Sequence, residues 1–243
     1  MSPSETPAAD QGPEAKIVGD LIEPSDFVVL VVPLDDSVPQ GRLVLAQQQA
    51  IRDILEADGV PVMVRETELR TALTGLVRPP RLVITDSQVF DQVAAETPGE
   101  VPLTSFAILF ARYHGFLNQA VRGVAALDRL AEGDRVLIAE GCLHHRQCGD
   151  MGTVKLPRWI GEHSGLNLDF VFHSGADFPQ DLSPYRLVIH CGACMLSERE
   201  MQHRQRLARD QNRPFTNYGL AIAYIKGLLK RSLGLWPHLS ASP

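Results

Sequence analysis

The sequence predicts an α/β protein made of two small parallel-sheet βα domains in tandem. Three observations carry this. Short apolar runs rich in β-branched residues alternate with stretches of helical period, the rhythm of parallel strands joined by crossover helices. That rhythm runs through residues 27–111 and begins again near Phe116. With 243 residues, 44% of them apolar and 21% charged, the chain is long enough to give each half a core.

Each element has its own reason. Residues 27–32 read FVVLVV, a continuous run ended by Pro33 that suits a strand buried on both faces. Residues 43–58 follow as an amphipathic helix, with Ala50, Ile51, Ile54 and Leu55 on one face. Residues 60–64 make a second strand and 66–76 a second helix, closed off by Pro79 and Pro80. Residues 82–84 are a third strand, 87–95 a short helix and 101–105 a fourth strand, followed by a helical stretch to Ala111. In the second half Ala120, Val121, Val124 and Leu127 recur at helical spacing. Gly133 and Asp134 turn the chain into a strand at 135–139. A short helix is expected at 157–163, with strands at 168–172 and 186–189. Residues 197–211 form a polar helix, opened by Ser197 and Glu200 in the S-x-x-E capping pattern, and residues 219–233 a strongly apolar one. The expected division is a tail at 1–16, a first domain at 17–115, a second at 116–236 and a flexible tail at 237–243.

Composition narrows the function classes. The formal charge of −6 argues against nucleic acid as the main partner. No apolar run is long enough for a membrane span. The first residues are rich in Pro, Ala, Ser and Glu and lack the basic-then-apolar pattern of a secretory signal. A reducing cytoplasm is the expected location, and there four cysteines read as metal ligands or spare thiols rather than disulfides.

The cysteines gather with histidines into one constellation. Cys142 and His144 form C-x-H after one expected strand; His190, Cys191 and Cys194 form H-C-x-x-C after another. In a parallel sheet both strands end at the same edge, where ligands bind. Adjacent strands lie ~4.8 Å apart, so the two loops can share one cluster-sized object. Gly192 lets the loop wrap, and a helix start just past Cys194 favours thiolate. Three thiolates leave one iron of a four-iron cluster without a protein sulfur. His144 or His145 can fill that position as neutral imidazole, or Cys148 can close it as a fourth thiolate. Glu140 offers an oxygen. Arg146, Lys155 and Arg158, in the stretch after Cys142, are candidates to cradle an anionic precursor. On spacing alone, a zinc-stapled interaction module also fits. So does a redox enzyme using Cys191 and Cys194 as a dithiol.

Longer segments carry a resemblance. LIAEGCLHH at 137–145, GTVKLPRW at 152–159, LVIHCGACM at 187–195 and TNYG at 216–219 resemble the cluster-binding domain of the FeFe-hydrogenase maturation factor HydF family. GDLI at 19–22, PQGR at 39–42, RPP at 78–80, TDSQVF at 85–90 and LTSF at 103–106 resemble that family's dimerisation domain. The resemblance implies a 4Fe–4S cluster on Cys142, Cys191 and Cys194, with His144 and His190 in the family's motifs and an exchangeable fourth iron position. It implies a homodimeric, non-catalytic scaffold that carries a diiron precursor made with radical-SAM maturation enzymes and delivers it to apo FeFe-hydrogenase. Family members open with a GTPase domain. No G-x-x-x-x-G-K-[ST] occurs in these residues, so nucleotide hydrolysis is not carried over, and a separate GTPase is an expected partner.

Overall fold

The apolar runs of the first half become four parallel strands: β1 (Phe27–Val31), β2 (Val60–Val64), β3 (Leu82–Thr85) and β4 (Leu103–Ser105). They are seen in a computed structural model that describes residues 16–33, 44–141 and 151–240. The strand order is β2-β1-β3-β4. Every residue of β3 and all but the first of β1 are buried, which is why these central segments show no polar alternation. β2 lies at the edge and accommodates Pro61, which has no N–H to donate. Helices α1 (Leu45–Glu56), α2 (Leu69–Gly75), α3 (Phe90–Glu96) and α4 (Phe106–Tyr113) complete this half.

The second half repeats the plan with β5 (Arg135–Glu140), β6 (Asp169–Ser174), β7 (Leu187–His190) and β8 (Phe215–Asn217), in the order β6-β5-β7-β8. Its helices are α5 (Leu117–Val124), α6 (Leu156–Ser164), α7 (Glu198–Asp210), α8 (Tyr218–Ile225), α9 (Leu229–Ser232) and α10 (Pro237–Ser240). Two tandem α/β units, each with a four-stranded parallel sheet, are therefore present.

Several details depart from the sequence reading. β8 was not expected: three residues are too few to show a period. The apolar stretch at 219–233 is two helices, broken at Gly227, whose φ of 68° no α-helix accommodates. Residues 237–240, expected in a flexible tail, form α10, and Leu239 packs on the core. Ser197 caps α7 by accepting from the Glu200 amide over 3.2 Å, but the Glu200 carboxylate turns to Arg204 Nε at 2.8 Å.

The halves share a core: Leu30 and Ile84 belong to the same buried cluster as Val136 and Ile189. The seam is close. Asn217 Nδ2 donates to the Ala107 carbonyl over 2.6 Å, and a Cβ on Gly219 would stand 2.7 Å from Ser105 Oγ. Lys226 pairs with Asp91 at 3.0 Å, and Arg231 donates to the Thr97 and Pro98 carbonyls at 2.6 and 2.9 Å. Among the described residues, no helix is long and apolar enough to cross a membrane.

Candidate metal centre

β5 and β7 are neighbours in parallel register, with Ala139 opposite His190. Both end at one edge of the sheet, and the chain leaves them at Gly141 and Cys191. The Gly141 amide donates to Cys191 Sγ over 3.1 Å and the Ala193 amide over 3.4 Å. Two N–H groups aimed at one sulfur favour its anionic form. Burial works the other way. It pushes the Cys191 thiol up to about 11 and raises Cys194 as well. Metal binding would displace those protons, since only the thiolate ligates.

The loop between the sulfurs is tight. Ala193 is buried and left-handed, with a φ of 61°, a conformation that costs a residue with a Cβ roughly 1 kcal/mol. The Cys194 sulfur faces the backbone amide of Ala46, in the first turn of α1. A cavity of ≈ 190 Å³ opens beside it, lined by Asp86, Ser87 and Gln88 from the first half and Met151, Cys194 and Tyr218 from the second. The Tyr218 hydroxyl donates to Glu140 Oε1 at 3.1 Å, and Gly152 lies so near both that a Cβ would meet them at 2.3 and 2.4 Å. Soft donors, amide support and space beside the thiols together fit a metal cluster.

The predicted cysteine and histidine residues separate by where they fall. Cys191 and Cys194 are brought together on one loop at the edge of the seam. Cys142, His144, His145, Arg146 and Cys148 lie outside the described residues. Among the described residues no group of three or more His, Cys, Asp or Glu is poised around one metal position.

His190 ends β7, directly before the cysteine loop. It is fully buried, its Nδ1–H donates to the Cys191 carbonyl at 3.0 Å, and its Nε2 accepts from Arg204 Nη1 at 3.1 Å. An arginine can only donate, so the ring is neutral and both nitrogens are occupied. Burial holds its pKa down at about 3. These two bonds brace the cysteine loop from below. Lys155 donates to Gln88 Oε1 over 2.5 Å and so stands within one hydrogen bond of the cavity wall. Arg158 faces outward, 60% exposed and 3.7 Å from Glu162.

Two residues escaped the sequence reading. Arg204 is 1% exposed and ties Glu200, His190 and the Gly175 carbonyl together. Met201, Arg204 and Ala208 share the buried face of α7, so helical spacing carried the signal. His114 is buried with neither ring nitrogen hydrogen-bonded, and the Ala193 backbone is among its polar neighbours. Burial lowers its pKa.

Fold and site together define a class: a tandem α/β protein whose second sheet presents cysteines at the carboxyl edge of its strands. Residues 17–115 match the hydrogen maturase F dimerization domain, and residues 118–235 match the hydrogen maturase F tetramerization domain. The chain belongs to the hydrogen maturase F family. No curated protein matches it. A solved NtrC family transcriptional regulator from Clostridium acetobutylicum is 12% identical over 85% of this chain and 97% of that one. Its TM-score of 0.27 is too low to carry any argument.

Proposed function

We propose that this chain is a non-catalytic carrier in hydrogenase maturation. It holds a 4Fe–4S cluster on Cys142, Cys191 and Cys194, and takes a diiron precursor of the hydrogenase active site to apo-hydrogenase. The observation that supports this best is the meeting of the β5 and β7 ends: Gly141, the residue before Cys142 in sequence, has its amide bonded to Cys191 Sγ. The bound cluster would supply an iron open to exchange. The chain does the rest. Gly141 and Ala193 amides stabilise charge on Cys191. Arg204 and His190 hold the loop, and the adjoining cavity leaves room for cargo.

Membership in the hydrogen maturase F family supports the maturation role, and the names of the two matched domains support a self-associating chain. Radical-SAM maturation enzymes are the proposed source of the precursor, and the cytoplasm the proposed location. The dithiol alternative fares worse. A redox nucleophile needs a depressed thiol pKa, and burial moves Cys191 and Cys194 upward.

The test is anaerobic reconstitution with iron and sulfide, followed by paramagnetic resonance of the reduced protein with and without imidazole or cyanide. The expected result is a four-iron signal that shifts with added ligand. Cys191→Ser should lose iron while keeping its circular-dichroism spectrum. A colourless protein holding one zinc per chain would overturn the reading.

A further inference from the structure

We propose that the second half carries another binding site, for a small molecule bearing several oxyanionic groups, away from the Cys191–Cys194 loop. A groove of ≈ 530 Å³ lies between the ends of α5 and α7 and the segment entering β8. The strands of a parallel sheet share one direction. The entrance to β8 is therefore on the edge opposite the exits of β5 and β7.

Four arginines line this groove: Arg122 from α5, Arg129 from the turn after it, Arg209 from α7 and Arg213 just before β8. None of them forms an ion pair with a carboxylate among the described residues. Asp181 feels Arg213 only through space. Arg213 Nη1 reaches the Tyr185 carbonyl at a long 3.5 Å, and its Nε is buried with no hydrogen-bond partner.

Helix dipoles explain part of this. Arg122 and Arg209 lie in the last turns of their helices, where a cation is favoured. The dipoles give no reason for four cations from four segments to surround one concavity on a chain of net charge −6. Like charges brought together repel, and an anion among them removes that cost. The arginine fork matches carboxylate and phosphate alike, often through two parallel bonds. Asn118 and Asn212 add amide donors at the rim. The volume falls within the ~300–1,000 Å³ typical of small-ligand sites. The ligand class is thus a phosphorylated or polycarboxylate metabolite.

The experiment is calorimetry on the whole chain with pyrophosphate, inorganic phosphate and citrate, each at low and at physiological salt. Binding should weaken as salt rises. Preference for pyrophosphate over citrate identifies a phosphate ligand, and the reverse a polycarboxylate. The Arg122→Gln/Arg209→Gln double variant, exposed at both positions, should bind roughly tenfold or more weakly, as expected for lost charge-assisted bonds. Cys191→Ser should bind as the wild type does, which separates this site from the cluster reading. The proposal falls if none of the three anions binds, or if the double variant binds them unchanged. It falls equally if the double variant alters only the sedimentation of the chain, which would assign the arginines to contact between copies.

Discussion

The two halves are the same frame carrying different loops. Both sheets follow one strand order, and in both the last strand passes directly into a helix that its final residue caps. Ser105 accepts from the Ile108 amide at 3.4 Å; Asn217 accepts from the Leu220 amide at 3.0 Å. The divergence comes after the third strand. In the first half Asp86 follows β3 and closes the turn by accepting from the Gln88 amide at 2.9 Å. In the second, Cys191 to Cys194 follow β7, and backbone amides turn toward sulfur. Topology supplies an open edge in both places, and the loop residues decide whether that edge is closed by a carboxylate or presents thiols. The two edges then meet, since Asp86 and Cys194 line one cavity.

The largest expected effect attacks the frame of the second half alone. A Cβ on Gly123 would lie 2.1 Å from the Phe215 carbonyl oxygen and 2.6 Å from its carbon, so α5 can approach β8 only through glycine. Gly123→Ala should therefore cost about 3 kcal/mol or more, read as a lower urea midpoint. Next is Arg204. Among the described residues the first half buries no charged side chain to match it. Arg204→Ala should cost roughly 3 kcal/mol, since it leaves Glu200, His190 and the Gly175 carbonyl without their partner. It should also lower the yield of reconstituted iron.

A third prediction concerns pH. Burial lowers the pKa of both His114 and His190 in the folded chain. Below roughly pH 6.5 the unfolded chain binds protons that the folded one refuses. Stability should be level above that value and fall as pH drops toward about 3 for His190. The slope is at most about 1.4 kcal/mol per pH unit for each histidine. Urea midpoints measured in steps from neutral to mildly acidic pH check this, and His114→Gln should flatten the curve.

The smallest effect compares the two caps. Ser105→Ala should cost about 1 kcal/mol. Asn217→Ala should cost more, because its amide also bonds the Ala107 carbonyl across the seam. Equal losses would show that the seam bond contributes nothing.

Much of this architecture was legible in the chain. Continuous β-branched runs marked the central strands, because a strand buried on both faces has no polar side to alternate. Ser197 marked the start of α7, because a hydroxyl there satisfies an otherwise unpaired helix amide. β8 was hidden by its length, and it became a strand because β7 pairs with it. The hydrogen bonding of His190 was not legible in the sequence, where its neighbours are cysteines. Its actual partners are its own loop carbonyl and an arginine fourteen residues away.

What the sequence by itself determined was the set of local elements and the cysteine pair within one loop, since both depend on contacts a few residues apart. Which strand lies beside which, which nitrogen of His190 is occupied and which arginines share a groove were settled only by packing. Those relations join segments distant along the chain, and burial assigns each polar group the partner it can reach.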